Sequence, residues 1–438
     1  MKNIRQVSDS YLCSNCGACS AVCHRNAIVF KWTNIGRLYA DVTPDCVNCG
    51  KCLKVCPSID EKNIHNRFED RFVGEIKSVW VGRATDNLIF QNSQSGGATT
   101  AILSFLFDEG LIDAALVCKM SFGSLPQVNP FIATSKQELS ESQKSCYTPV
   151  PLLTKLAELK SYKNVAVVGI PCHIQGIESL MKGSSEYNNI RYRIGLICDR
   201  SECNGIQTVI KSLTGQENFK VVWRRKYDCK SMSYDYENAP LTVVPQDGNS
   251  VVLPRLYRIG LKDMFTSPRC WVCWDKLNVF ADITLGDPWR LPDVNFKEGE
   301  SLVIARTDTG THLVETMQER GCLRLRQVDN DAPLKSQLIE SRRKQVEDYA
   351  SAFEELSPSI DSYLLHRENS FIEPSANAKT MLRRFADNEG KTEEMIVQIA
   401  KAELARREKE KKREDSMVNR LKMFFRRIKV SSINSPLC

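Results

Sequence analysis

The chain has 438 residues, a length that suits two or three domains. Of these residues 42% are apolar and 26% are charged, a balance typical of a folded protein. No apolar run approaches the roughly 20 residues of a membrane-spanning helix, and the N-terminus lacks the apolar stretch of a secretory signal, so we expect a cytoplasmic protein. The formal net charge is +7, but residues 401–430 alone hold 12 basic and 5 acidic residues. The rest of the chain is therefore neutral, which argues against nucleic acid as a partner.

Two cysteine runs within residues 1–57 are the first motif in chain order. Each has the pattern Cys-x2-Cys-x2-Cys-x3-Cys, typical of a ferredoxin with two [4Fe–4S] clusters. In this pattern three cysteines surround one cluster, and the fourth, on a following helical turn, reaches the other cluster. Zinc sites usually come as separate CxxC pairs, and the cytosol disfavours disulfides. The predicted ligand sets are Cys13, Cys16, Cys19 and Cys56 for one cluster, and Cys23, Cys46, Cys49 and Cys52 for the other.

After a polar linker at 58–75, strand and helix patterns alternate over 76–330. This alternation predicts an α/β sheet covered on both faces, with ligands beyond the carboxyl ends of its strands. Cys172 and Cys198 fall at such strand ends. The predicted segments are strands at 78–84, 113–120, 165–171 and 190–198, helices at 97–106 and 151–159, and β structure at 220–255.

Four further cysteines form a second possible site in the body, at Cys172, Cys198, Cys270 and Cys273. The residues alone leave three interpretations open, which are a third [4Fe–4S] cluster, a zinc site, and separate buried thiols. The Gly-rich segment at 93–100 opens a predicted helix, so it is either an anion-binding turn or an ordinary tight turn.

Residues 331–438 predict a helical, basic C-terminal extension. Four apolar residues of 417–430 share one helical face, opposite five basic ones. This segment either contacts an anionic membrane surface, packs on a partner helix, or belongs to a solvated terminus.

Taken together, four ordered segments resemble the coenzyme F420 hydrogenase/dehydrogenase β-subunit family, in the form fused to a two-cluster ferredoxin domain. They are SQSGGATT (93–100), GIPC (169–172), RCWVC (269–273) and ADITLGDP (281–288). The resemblance covers residues 1–330 and implies an FAD in the body next to a third [4Fe–4S] cluster held by Cys172, Cys198, Cys270 and Cys273. The residues that it implies for FAD are Ser95, Gly96, Gly97, Thr99, Lys144, Asp282, Gly286 and Asp287.

The expected fold is thus an α+β ferredoxin-like domain, an α/β flavin-binding domain and a helical basic C-terminal tail. We expect an oxidoreductase that relays electrons between a ferredoxin-like donor, the clusters, FAD and a small two-electron substrate or coenzyme, such as coenzyme F420. His173, beside Cys172, is either a proton donor or a core histidine. The alternatives are an electron-transfer subunit without its own substrate, a reductase of surface-polysaccharide synthesis, or a cluster-bearing sensor. A homo-oligomer and a partner subunit also stay open.

Overall fold

In the computed structural model the described residues are 2–59, 67–182, 184–224, 240–356 and 372–431, with the side chains of 356, 415 and 417–431 left out of the description. The apolar face predicted within 417–430 therefore lies outside the described side chains. In the described part, no helix is both long and apolar enough to cross a membrane.

The N-terminal region is small and holds a β-hairpin between short helices. The hairpin strands pair antiparallel, with Ile28 opposite Val42, and Gly36 makes the turn at φ +76°. A Cβ atom at Gly36 would lie 2.1 Å from the backbone nitrogen of Gly205, so the hairpin tip docks closely on the body. The elements are α1 (Arg5–Asp9), α2 (Ala18–Ala21), β1 (Ile28–Trp32), β2 (Leu38–Val42) and α3 (Lys51–Lys54).

The body is built on a mixed eight-stranded sheet of order β13-β3-β12-β11-β7-β6-β4-β5. Strands β4, β6, β7 and β11 run parallel, and β3 points the same way because it lies antiparallel to β12. A separate three-stranded sheet has the order β10-β9-β8. The strands are β3 (Ser78–Ala84), β4 (Ala114–Ser121), β5 (Gln127–Ala133), β6 (Val165–Gly169), β7 (Ile190–Leu196), β8 (Phe219–Val222), β9 (Leu241–Pro245), β10 (Val251–Leu253), β11 (Ile283–Gly286), β12 (Ser301–Ala305) and β13 (Leu323–Val328).

Helices cover both faces of the large sheet. Ile102 of α5 and Val314 of α11 pack in the apolar core on one face, and Ile174 and Ile177 of α7 pack on the other. The predicted helix at 151–159 is a 3-10 segment, Leu152–Lys155, followed by one α-helical turn. The helices are α4 (Asn87–Asn92), α5 (Ala98–Asp108), α6 (Leu156–Leu159), α7 (Pro171–Met181), α8 (Gly205–Thr214), α9 (Arg255–Phe265), α10 (Pro268–Trp271) and α11 (Asp308–Glu319).

The C-terminal extension is helical and packs on the rest of the chain. Tyr349 stacks on Trp271 with ring centroids 4.6 Å apart. Phe353 shares an apolar core with cysteines of the N-terminal region. Arg37 Nε donates to Glu389 Oε1 at 2.6 Å, which ties the hairpin to the extension. Its helices are α12 (Ala332–Gln337), α13 (Ile339–Leu356), α14 (Ala376–Glu389) and α15 (Glu393–Ser431).

Candidate functional site

The structure brings Cys13, Cys16, Cys19 and Cys56 together in a buried group, here called the inner set. The four thiols interact electrostatically, although Cys56 comes from the second run. Burial raises the pKa of Cys56 to about 12 and that of Cys16 to about 11, so a cation such as iron is needed to hold these sulfurs as thiolates.

The other four N-terminal cysteines line one small cavity and are called the outer set. Its members are Cys23, Cys46, Cys49 and Cys52. Cys49 is exposed, whereas Cys52 is buried. The Ala27 N–H donates to Cys23 Sγ at 3.3 Å, the kind of contact that stabilises a thiolate ligand. Arg25 and Lys51 are the ionic side chains that line the cavity in the described part. The outer set thus faces the surface of the molecule, beside positive charge.

The inner set lies against the body of the protein. The Leu153 N–H donates to the Cys16 carbonyl at 2.9 Å. A Cβ atom at Gly17 would lie 2.8 Å from the Thr154 nitrogen, and one at Gly176 of α7 would lie 3.6 Å from Cys16 Sγ. Only glycine allows this close approach at Gly17, where φ is +91°. Cys16 consequently interacts electrostatically with Cys172 of α7.

A third group, the body set, consists of Cys172, Cys198, Cys270 and Cys273. Cys172 lies in the first turn of α7, just after β6, and Cys198 follows β7. Burial raises the pKa of Cys172 and Cys198 well above the usual range, and the neighbouring thiols raise it further. The structure therefore brings together the four body cysteines named from sequence.

The described residues contain no group of three or more His, Cys, Asp or Glu side chains that could hold a single metal ion. A four-iron cluster spaces its thiolates more widely than a single ion does, because each thiolate binds a different iron.

Arg342 provides a test of whether the body set fits an anionic cluster. Its side chain is 4% exposed, and its Nη2 donates to the carbonyls of Asp199 at 2.9 Å and Cys270 at 3.2 Å. Its Nε and Nη1 find no hydrogen-bond partner among the described residues. A buried cation with unpaired donors beside four thiols fits an anionic, thiolate-ligated cluster.

Arg269 lies between the inner set and the body set. Its guanidinium interacts electrostatically with both Cys56 and Cys270. Nε donates to Ser58 Oγ at 3.1 Å and Nη1 to the Val272 carbonyl at 3.3 Å. Sequence reasoning gave neither Arg269 nor Arg342 a role. The only available signal was the position of Arg269 next to a cysteine, and Arg342 lies in a distant helix.

The segment 95–97 lies at the carboxyl edge of the large sheet. A Cβ atom at Gly96 would lie 2.5 Å from both the Gly82 carbonyl oxygen and the Ser301 nitrogen. Ser95 Oγ donates to the Glu300 carbonyl at 2.6 Å. Gly286 pairs with Leu302 at the same edge, so this segment and residues 286–287 are neighbours. Asp287 there accepts from Arg224 Nη1 at 2.7 Å.

Gln94 tests whether this edge fits a polar cofactor such as FAD. Its buried side chain accepts from the Ser145 N–H at 2.9 Å, but its Nε2 finds no partner in the described part of the chain. Thr99 lies in the first turn of α5, where free backbone N–H groups favour an anion. Lys144 donates to Asn92, which holds its segment beside Gln94. The unpaired Gln94 Nε2 and the N–H groups that begin α5 are donors that fit the phosphates and polar ring edge of a dinucleotide.

Asp282 does not join these residues. It precedes β11, whereas Gly286 ends that strand. Its carboxylate accepts from the Arg193 N–H at 2.8 Å, from Arg193 Nη2 at 3.0 Å and from Thr307 Oγ1 at 3.1 Å. The structure thus gives Asp282 a bracing role between strands at the opposite edge from the predicted flavin residues.

His173 is buried, with both ring nitrogens facing backbone. Nε2 lies 2.9 Å from the Val150 carbonyl, and Nδ1 accepts from the Ile170 N–H at 3.4 Å. Burial lowers the pKa of His173 to about 4, so the ring is neutral near pH 7. These contacts favour the core-histidine alternative over the proton donor.

Comparisons with known proteins match most of the chain. The family described as "Coenzyme F420 hydrogenase/dehydrogenase, beta subunit" matches with its C-terminal part at residues 162–331 and with its N-terminal part at residues 79–157. Residues 12–59 match a 4Fe-4S dicluster domain. An uncharacterised protein of Methanocaldococcus jannaschii is 30% identical over 381 residues, which cover 79% of this chain and 97% of that protein.

Two further similarities involve named complexes. The F(420)H(2) dehydrogenase of Methanosarcina mazei has a subunit, designated F, that is 26% identical over 78% of this chain and 92% of its own length. The solved F420-reducing [NiFe] hydrogenase complex of Methanosarcina barkeri matches with a TM-score of 0.50 and 21% identity, over 65% of this chain and 96% of the matched chain. The resemblance found in the sequence is confirmed: the chain belongs to the coenzyme F420 hydrogenase/dehydrogenase β-subunit family and carries a 4Fe-4S dicluster domain at its N-terminus.

Proposed function

We propose that this chain is an iron–sulfur flavoprotein that relays electrons between a ferredoxin-like partner at its surface and a two-electron coenzyme at the carboxyl edge of the large sheet. Coenzyme F420 is the proposed coenzyme, because relatives are named for it. The observation that carries the proposal is the series of three cysteine groups. Cys49 of the outer set is exposed, the inner set is buried, and Cys16 of the inner set interacts with Cys172 of the body set.

Each group has a distinct task in this proposal. The outer set exchanges single electrons with the partner, and Arg25 and Lys51 favour an acidic one. Arg269 and Arg342 stabilise the added negative charge when the clusters at the inner and body sets are reduced. The segment 95–97 and Lys144 orient the cofactor, and FAD, when bound, would accept single electrons and pass them on in pairs as hydride.

Anaerobic purification of the full chain tests the composition. Three clusters predict about twelve irons per chain, because each holds four, and one releasable FAD. A content of about eight irons per chain would exclude a cluster at the body set. A chain that holds clusters but no FAD would exclude hydride transfer by a flavin.

Rapid mixing then tests the relay. Reduced ferredoxin is added to the oxidised chain with oxidised coenzyme F420, and the coenzyme absorbance is followed. We expect coenzyme reduction, and we expect Cys49→Ser to slow it strongly, whereas Cys322→Ser, outside all three sets, leaves it unchanged. A rate of coenzyme reduction that Cys49→Ser leaves unchanged would contradict the entry of electrons through the outer set.

A second candidate is an electron-transfer subunit whose two-electron chemistry lies in a partner. The naming of several relatives as subunits favours it. In that case ferredoxin reduces the clusters, but the coenzyme stays oxidised until a partner subunit is added.

A further inference from the structure

Two arginines come together at the edge of the sheet that holds the proposed flavin site. Arg224 is 5% exposed, and its Nη1 donates to Asp287 Oδ2 at 2.7 Å. Asp287 comes directly after β11, so this contact places Arg224 at the carboxyl edge of the large sheet. Arg224 follows β8 by two residues and Arg255 follows β10 by two residues, and these strands end on the same side of the three-stranded sheet. Only β9 separates them, which corresponds to about 10 Å.

Helix α9 adds a third arginine. Arg255, Arg258 and Lys262 are spaced by three and four positions, so they share one face of the helix. Lys262 Nζ donates to Asp199 Oδ2 at 2.8 Å, in the loop that follows β7. This cationic face of α9 therefore points toward the carboxyl edge of the large sheet, with Arg258 between Arg255 and Lys262.

Tyr147 and Glu202 border the three arginines. The ring of Tyr147 lies 5.8 Å from that of Trp223, the residue before Arg224. The Tyr147 carbonyl accepts from the Glu202 N–H at 3.2 Å. Glu202 is 3% exposed, and its Oε2 finds no hydrogen-bond partner among the described residues. Burial raises the pKa of Glu202 to about 7, so near neutral pH much of this carboxyl is protonated and can donate a hydrogen bond.

Arg255 and Arg258 lack the partners that buried cations normally have. The Nε atom of each is buried but finds no hydrogen-bond partner in the part of the chain that the structure describes, and neither guanidinium forms an ion pair there. Burial, followed by the like charges of Arg224 and Arg255, lowers the pKa of Arg258. Guanidiniums held together in this way cost free energy unless an anion binds among them.

We propose that Arg224, Arg255 and Arg258 bind a phosphate group at the carboxyl edge of the large sheet. The planar fork of a guanidinium matches two phosphate oxygens. Asp287 already balances the charge of Arg224, so Arg255 and Arg258 leave two positive charges, which suit a phosphate monoester or a diphosphate. Protonated Glu202 donates to the same anion.

Two ligands of the proposed function are sources of such a phosphate, namely FAD and the two-electron coenzyme. The identity of the ligand therefore rests on the proposed function. The existence of the site does not, because it follows from contacts and burial within the chain.

Inorganic pyrophosphate is the probe, titrated calorimetrically into the anaerobic full chain before and after FAD is removed. Binding to the FAD-containing chain would assign the site to the coenzyme, and binding only after FAD removal would assign it to the flavin diphosphate. Since each arginine contributes charge-assisted hydrogen bonds, we expect Arg258→Gln to weaken pyrophosphate binding about tenfold or more. No binding to either form would overturn the proposal, as would equal affinity in Arg258→Gln.

Arg191→Gln is the matched control, because Arg191 is exposed near the start of β7, at the opposite edge of the sheet. It should bind pyrophosphate like the wild-type chain. Arg255→Gln, at a partly exposed position, is a second variant with the same expected loss of affinity as Arg258→Gln.

Thermal unfolding separates binding from a structural role. Without pyrophosphate, Arg258→Gln should be at least as stable as the wild-type chain, because it removes an unpaired charge. Pyrophosphate should raise the Tm of the wild-type chain more than that of the variant. A variant that loses the same number of degrees with and without pyrophosphate would overturn the proposal.

Steady-state kinetics separates this inference from the proposed function. Where pyrophosphate binds the FAD-containing chain, the KM for coenzyme F420 should rise about tenfold in Arg258→Gln, more than kcat falls. An unchanged KM would overturn the assignment to the coenzyme. If the chain holds no FAD and reduces no coenzyme, the proposed function fails, whereas the pyrophosphate titration still decides whether the site exists.

Discussion

Replacing Arg269 with glutamine gives a direct test of the relay, because this guanidinium interacts with cysteines of both the inner and the body sets. The substitution removes one positive charge from a site that is 4% exposed. A reduced cluster carries one more negative charge than an oxidised one. Loss of the cation therefore destabilises the reduced form, and the reduction potentials of both neighbouring clusters should fall.

The size of the fall follows from Coulomb's law. A unit charge ~7 Å from a cluster, at an effective dielectric constant of about 20, contributes about 2.4 kcal/mol. Since ~59 mV in a one-electron couple corresponds to a tenfold change, or ~1.4 kcal/mol, the expected decrease is about 100 mV for each cluster. Because Arg269 is buried, added salt should change this value little.

The assay is a redox titration followed by electron paramagnetic resonance on the anaerobic full chain. Arg269→Lys keeps the charge and should restore most of the lost potential. Arg67→Gln is the matched surface control, since the Arg67 side chain is 59% exposed, and it should have no effect. Unchanged midpoints in Arg269→Gln, with all clusters present, would refute the placement of this charge between two clusters.

Three further substitutions test other parts of the site. Cys198→Ala should reduce the iron content from about twelve to about eight per chain by chemical analysis, because one four-iron cluster is lost; an unchanged content would exclude Cys198 as a ligand. Asp282→Ala should lower the free energy of unfolding by about 1–3 kcal/mol in denaturant titrations, because the partly buried Arg193 loses the Asp282 carboxylate and keeps its ion pair with Glu178, while FAD retention stays the same; selective loss of FAD would instead support a flavin role. The pKa of Glu403 is lowered to about 2, first by its hydrogen bond with Arg406, so its contribution to stability is full above about pH 4.5 and is lost as the pH falls toward 2. Glu403→Gln should remove this part of the acid dependence, and identical acid-unfolding curves would contradict it.

The dicluster domain could be predicted from the sequence, because the fixed spacing of the cysteines in each N-terminal run is visible in a single segment. The strands predicted at 78–84, 165–171 and 190–198 lie at 78–84, 165–169 and 190–196, since apolar and β-branched residues predominate in each. The strand β13 was missed because arginines alternate with its leucines, so its sequence resembles that of an ordinary polar segment. The four-residue strand β11 was too short to carry a periodic signal.

The environment of the clusters was much less predictable, since it depends on contacts between distant parts of the chain. Arg342 reaches Cys270 from 72 positions away, and Tyr349 stacks on Trp271. Nothing in the local pattern of residues 331–356 shows that they cover cysteine sites. Charge and amphipathic pattern predicted a helical, basic extension without indicating what it covers, and α13 packs directly against N-terminal cysteines.

The burial of the three cysteine groups helps to explain why the N-terminal region, the body and the C-terminal extension pack against one another. The inner set has the apolar core of α13 on one side and α7 on the other, so in the proposed relay electrons from the outer set pass through the inner set toward Cys172. If the N-terminal region hinged away from the body, this path would open to solvent and other acceptors. The tight fits at Gly17 and Gly36 oppose such a hinge, because each leaves no room for even one additional methyl group. We therefore expect Gly36→Ala, which does not touch a cysteine, to slow transfer from the outer to the body cluster while leaving the iron content unchanged.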